Sequence, residues 1–432
     1  MQLSRRSLLL GGGGLAATAT LAACGNNNPL DQSSTAPSTS GSASATGELP
    51  ALSQWYHQYD EAGVKEAVEG YAAAYDKAKV SVNWVVSDYS KVLGAQLLTN
   101  DLPDVFEVEQ GGSLDMIRAG QLADLTDLIE PHRSEFNEAV MNRFTFDGKV
   151  HGIPQTIDMQ LLYYRPSLLK EAGVEPPTTF EELVAAINAT KSADIGGLFA
   201  GNDGNDIGLL GTLLIWASGH DQLNAERTEA AFLTDDFYNA LIAYRELRES
   251  GGILSAASAE WYSPDAMANG EAVFQWGGLW SLPVIQEALG DDIAALPFPA
   301  IGPKGRPAVP FGAFGACVAA KGPNVDAAKE FVKWLWIEQD EYQVDFSDSY
   351  GTHIPAKNAL VPKATKLAEG PGADAARYVN DHGFANDIMW SGAVGEAFGA
   401  ALSAVIRDGK DPKETFEPFG EQVVAELKNL NS

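Results

Sequence analysis

The chain has 432 residues, 58 of them acidic and 29 basic, for a formal charge of −29, and carries only two cysteines. That balance repels nucleic acid and anionic lipid surfaces and favours neutral or cationic ligands only weakly; two cysteines supply no disulfide framework. The length beyond the first ~50 residues exceeds what one hydrophobic core accommodates, so two lobes are predicted.

In chain order, Ser4-Arg5-Arg6-Ser7-Leu8-Leu9 precedes a weakly apolar stretch, residues 11–23, with no acidic residue. This reads as a signal peptide over residues 1–23; the paired arginines suit the twin-arginine route, and a basic start also serves the general one. Removing it takes away two arginines and no acid, moving the charge from −29 to −31. Leu21-Ala22-Ala23-Cys24-Gly25 resembles the lipobox of bacterial lipoproteins, which implies acylation of Cys24. Residues 24–50 are then the lipidated cysteine and a flexible tether, because Asn, Ser, Thr, Ala and Gly cannot bury enough surface to offset the entropy of ordering. No later stretch approaches the ~18 apolar residues of a spanning helix, so the membrane is contacted through the lipid only.

From Leu52 onward, short apolar runs alternate with amphipathic helical patterns, the signature of α/β layering. Residues 52–57 read as a first strand, 62–78 as a helix, 80–86 as a second strand and 103–108 as a third, ending in polar residues where such sheets place their sites. Residues 150–153 and 161–164 read as strands crossing toward a second lobe. Thr178 and Glu181 are spaced as a capping box before the next helix. Residues 207–217, 235–249, 281–289 and 325–338 are further helices, with a buried strand over 315–320 that carries Cys317. On the 325–338 helix, Trp334 and Trp336 place at least one indole in the core or against a neighbour.

The motifs of the common enzyme classes are absent. There is no Gly-Lys-Ser/Thr ending of a phosphate loop, no His-Glu-x-x-His and no Gly-x-Ser-x-Gly. Residues 370–375 fit a loose dinucleotide pattern, but an internal proline and the lack of a preceding strand make them a loop. Asn202-Asp203-Gly204-Asn205-Asp206 fails calcium-loop spacing at Ile207 and Leu214 and reads as a polar loop capping the next helix. Six single histidines show no zinc spacing. Neither a metal nor another cofactor is indicated.

The order of landmarks over residues 52–425 resembles the family 1 extracellular solute-binding proteins, relatives of the maltose-binding protein that serve ABC importers. Those landmarks are Pro103-Asp104-Val105-Phe106, Asp147 to Pro154, Leu162-Tyr163-Tyr164-Arg165 with Leu168 to Gly173, Pro177 to Leu183, Gly270 to Phe274 ahead of Gly278-Leu279-Trp280, and Ala327 to Phe331. The resemblance implies a two-lobed, type II periplasmic-binding-protein-like α/β fold with the ligand cleft between the lobes. One lobe would take residues 51–155 plus 310–355, the other 156–309 plus 356–432. It further implies a monomeric, exported, non-enzymatic receptor on the outer face of the cell membrane. The receptor would bind a sugar or oligosaccharide and deliver it to ABC permease subunits. Carried over by position, the cleft residues are Trp55, His57, Asp60, Glu109, Gln110 and Asp158, with Trp216, Trp276, Trp280 and Trp390 opposite. Asp-Glu at 60–61, where the maltose binder has Asp-Lys, argues against maltodextrin itself. Indoles suit this work because a pyranose offers an apolar face to stack on and an edge of hydroxyls for carboxylates and amides. A membrane-anchored glycoside hydrolase and a receptor for a polyol or glycerol phosphate are the alternative readings.

Overall fold

A computed structural model describes residues 48–59, 61–86, 88–350 and 352–431; Cys24, the signal, most of the tether and Asp60 lie outside the described residues. The strands are β1 (Ala51–His57), β2 (Lys79–Val85), β3 (Val105–Glu109), β4 (Thr145–Phe146), β5 (Lys149–Val150), β6 (Ile153–Pro154), β7 (Thr156–Tyr164) and β8 (Gly196–Phe199). They continue as β9 (Ile253–Leu254), β10 (Ala272–Gly278), β11 (Ala294–Leu296), β12 (Val309–Gly312), β13 (Phe314–Val318), β14 (Ile354–Pro355) and β15 (Gly383–Phe384). They build two large sheets. The first runs β2-β1-β3-β13-β6; the second runs β15-β12-β7-β10-β8-β9, with β11 and β14 also on β7. With helices packed on both sheets, the chain adopts the two-lobed α/β fold.

Period-two patterning explains the first sheet. Along β1, Leu52, Gln54 and Tyr56 are buried while Ser53, Trp55 and His57 are half-buried, so alternate side chains serve a core and a wetter face. β1 pairs in parallel with β2 and β3, and β13 runs antiparallel to β3. Their polar ends, His57 and Glu109, therefore emerge at one edge of the sheet. In the second sheet β10 is buried along its whole length, as a strand covered on both faces must be.

The two sheets are joined by very short links. Gln155 alone separates β6 from β7, and Ala313 alone separates β12 from β13. Backbone hydrogen bonds secure both links: Gln155 N–H donates to Phe314 O at 2.8 Å, and Gln110 N–H donates to Ala313 O at 2.6 Å. A third passage runs through buried Thr352 and His353 into β14, which pairs with the start of β7.

Several sequence expectations shift. The capping box is built one residue later, from Thr179 and Glu182, because Glu182 Oε2 also gathers the Thr178 N–H and hydroxyl. Gly370–His382 is a helix and not a loop. Pro371 falls in its first turn, where the missing N–H costs nothing. Gly372 lets that helix lie on the preceding backbone, since a Cβ there would stand 2.1 Å from the Lys366 carbonyl oxygen. The 205–217 helix begins after Gly204, at φ 90°, with no side-chain cap. Asn202 instead bonds the backbone at Ala257 and Ala259, and Asp206 is buried against Tyr244 and Arg248. The helix from Val325 changes to π geometry over Trp334–Glu338; Trp336 is core, and Trp334 packs on Tyr75 and Phe331. Cys317 is buried in β13, and burial pushes its thiol far above the usual range.

The close approach at Gly372 gives a direct test. Gly372→Ala is expected to destabilise the fold by roughly 1–3 kcal/mol, because backbone must move to admit the methyl. Urea melts of the two proteins measure it, and an unchanged midpoint would disprove the contact.

Candidate functional site

Acidic and basic side chains converge where the polar ends of β1 and β3 meet the start of β7. Glu107, 1% exposed, is fully engaged: Oε1 accepts the His57 N–H at 2.7 Å and lies 2.5 Å from His57 Nδ1, while Oε2 accepts from the Tyr59 hydroxyl at 2.8 Å. Burial alone would lower the pKa of His57, but Glu107 overrides it and lifts it above the ordinary histidine value. The imidazole is stacked on Phe314, with ring centroids 4.9 Å apart, and leans on Tyr59 at 4.0 Å. It is a presented, oriented ring on the first sheet.

Next to it stands Glu109, whose carboxyl is pushed up by burial and further by the charge of Asp158. The following residue, Gln110, is held at φ 56°, a left-handed conformation that a non-glycine residue adopts at some cost. Its side chain thereby receives the Arg143 Nε–H at 3.0 Å. Arg143 closes the helix Glu138–Arg143 and faces residues that follow β15.

Asp158 lies opposite Gly312 of β12 and is paired with the buried His353 through Nδ1. Glu61 Oε1 stands 3.6 Å from Nε2 of the same ring, an ion-pair distance without a hydrogen bond. Burial would lower the His353 pKa, but Asp158 and Glu61 carry it to about 10. A histidinium clasped by two carboxylates thus sits where the sheets are linked.

A cavity of about 310 Å³ opens between the 138–143 helix and the segment after β15. Phe311 and Phe384 form apolar walls, and Asn142, Arg143, Arg227, Asn386 and Asp387 supply polar ones. Trp216 supports this wall from behind, stacked on Phe384 with centroids 3.6 Å apart. Among the described residues, no group of three or more His, Cys, Asp and Glu side chains is placed to hold a metal ion, and no helix is long and apolar enough to cross a membrane.

The sequence-predicted residues thus divide. His57, Glu109, Gln110 and Asp158 fall in one electrostatically connected patch. Trp55 is half-buried on the face of His57, its indole N–H on Ser53 Oγ at 3.1 Å. Trp216 is 4% exposed and acts through Phe384. Trp276 is a core residue, 1% exposed, its N–H spent on Gln160 and its ring edge-on to Phe298. Trp280 lies over Gly278, where a Cβ would meet its ring atoms at 2.2 Å, and donates to Tyr262 O. Trp390 is half-buried in an aromatic cluster with Phe232, Phe398 and Phe419. Sequence reasoning missed Glu61, Arg143, Arg227, His353, Phe311 and Phe384. None sits in a motif, and only the polar Asp-Glu at 60–61 had drawn notice.

The His353 pair has a defined pH signature. Its folded pKa is raised above the ~6.5 of an unfolded histidine, so its stabilisation is fully present below that value and is lost as pH rises through about 10. The difference in unfolding free energy between the parent chain and His353→Gln is expected to be largest near about pH 6 and to shrink toward the folded pKa. Urea melts across that range read it out; a flat difference would refute the charged pair.

Residues 60–336 match the profile of the family described as bacterial extracellular solute-binding protein. A multiple sugar-binding protein of Streptococcus mutans is 24% identical over 351 residues, covering 76% of this chain and 81% of its own. Among solved structures, the GacH receptor of Streptomyces glaucescens matches with a TM-score of 0.74 at 20% identity, over 88% of this chain and 99% of that one. A substrate-binding protein of Listeria monocytogenes, solved with cycloalternan, matches with the same TM-score and identity, over 88% and 100%. With the profile covering well over half of its length, the chain belongs to the bacterial extracellular solute-binding protein family.

Proposed function

We propose that this protein is the receptor of an ABC-type importer for a sugar or oligosaccharide. In this reading it is tethered to the outer face of the cell membrane through acylated Cys24. The observation that carries the ligand class is the cavity with two phenylalanine walls and a rim of amide, guanidinium and carboxylate groups, the pairing of apolar face and polar edge that a pyranose requires. The sugar-binding name of the Streptococcus mutans relative supports it. Two carboxyls of the patch are engaged and not free to act on a glycosidic bond: Glu107 is held by His57 and Tyr59, and Asp158 by His353. In this reading residues 51–155 plus 310–355 form one lobe, 156–309 plus 356–432 the other, and hinge closure traps the ligand.

A thermal-shift screen against neutral mono- and oligosaccharides tests the function. A cognate sugar at 100 times its Kd should add about 2.7 kcal/mol of stability, and a panel without any shift would count against the reading. With the hit in hand, Phe384→Ala, which removes one wall of that cavity, is expected to lose on the order of 2 kcal/mol of binding. Trp276→Ala should instead lose about 3–5 kcal/mol of folding stability. Calorimetry beside melting curves separates the two outcomes.

The anchor is tested separately by metabolic labelling with a palmitate analogue. The parent chain should take up label and Cys24→Ser should not; label persisting in the variant would remove Cys24 as the acylated residue.

A further inference from the structure

Arg143 is a half-buried guanidinium whose two hydrogen bonds both go to neutral oxygens, Gln110 Oε1 at 3.0 Å and the Gly112 carbonyl at 3.5 Å. Among the other cations Arg248 has Asp206, and Lys357 has Asp340 and Glu135, while half-buried Arg133 and Lys191, like Arg143, bond neutral oxygens. Of the acids nearest Arg143, Asp387 is otherwise committed: it accepts the Arg227 Nε–H at 2.9 Å and the Met389 N–H at 2.8 Å. Burial raises the pKa of Glu109, and the charge of Arg143 acts against that rise. Burial pushes the Arg143 pKa down to about 10; the charges of Asp387 and Glu109 act against that fall, and Arg227 adds to it. A guanidinium held this way gains most from an incoming anion, because a bidentate ionic pair restores what desolvation removed.

The neighbouring amides point to the same chemistry. Asn142 Oδ1 accepts from Arg133 at 3.4 Å, and Asn386 Oδ1 accepts from Gln222 Nε2 at 2.8 Å. In each amide the oxygen is occupied, and the NH₂ group is left to donate. The cavity of about 310 Å³ therefore combines two guanidiniums, that of Arg227 paired with the lining carboxylate of Asp387, and two amide donors with two aromatic walls. With Arg227 paired to Asp387, Arg143 leaves the lining one positive charge in excess, in a chain with a net −29.

We infer that the ligand is a carbohydrate bearing an anionic group, a carboxylate as in a uronic acid or a phosphate ester, held by Arg143 with Arg227 as the second cation. This rests on the carbohydrate reading above and names the substrate class within it. The aromatic walls take the ring, and the guanidinium of Arg143 takes two oxygens of the anion.

Titration calorimetry on the full chain would compare glucose and galactose, and their short oligomers, with glucuronate, galacturonate, digalacturonate and glucose 6-phosphate. An acidic sugar is expected to bind roughly 10- to 100-fold tighter than its neutral parent. The carboxylate and phosphate arms tell which anion is preferred. Arg143→Gln should collapse that ratio, and Arg143→Lys should keep part of it because the charge remains while the fork is lost. Arg227→Gln, at an exposed position, should reduce the ratio without risk to folding. Neutral parents binding as tightly as their acids, or a folded Arg143→Gln with an intact ratio, would overturn this inference and leave the carbohydrate reading standing. Failure of every sugar, neutral and acidic, would overturn both.

Discussion

Two links of one residue each, Gln155 and Ala313, govern where everything else in this molecule lies. A strand that ends in one sheet and resumes in the other after a single residue leaves little freedom in how the sheets can be placed. The backbone bonds of Gln155 to Phe314 and of Gln110 to Ala313 tie the two links to each other and to the end of β3. Polar residues that the sequence scatters over three hundred positions are thereby delivered to one region. His57 and Glu109 come from strand ends, Asp158 from just beyond a link, and His353 from the third passage.

Charge is handled there by strict pairing. Glu107 is saturated by His57 and Tyr59, and His353 answers Asp158 with Glu61 nearby. Such arrangements hold because a buried charge without a partner is far more costly than one with it. Against that background Glu109, outside any ion pair among the described residues, and the guanidinium of Arg143, bonded only to neutral oxygens, are an exception. The strained backbone of Gln110 beside them belongs to the same exception, since strain of this kind persists where a site needs a side chain aimed.

The architecture was largely legible in the sequence because its signals are local. Alternation marked β1 and β2, and helical patterning marked the segments that form the helices over 205–217 and 235–249. Errors arose where tertiary packing decides. Pro371 and Gly372 look like loop residues until the Lys366 backbone is seen beneath them. A capping box can start at Thr178 or Thr179, and only the reach of Glu182 chooses. The tryptophans illustrate the limit for the site: nothing local separates Trp276, enclosed by Gln160 and Phe298, from Trp280, which rests on Gly278. Arg143 and His353 were invisible for the same reason, since their meaning lies in partners far away in the chain.

The interleaving of strands also dictates an order of events as the chain folds. β13 pairs with β3 across some two hundred residues, and β12 and β14 complete the neighbourhood of β7 only once residue 355 has emerged. Neither sheet can finish on its own N-terminal half. Loop closure over such spans is entropically demanding and slow, and until it happens β3 offers an unpaired edge able to recruit other chains. A nascent chain of this topology therefore spends its vulnerable interval open at β3 until β13 arrives.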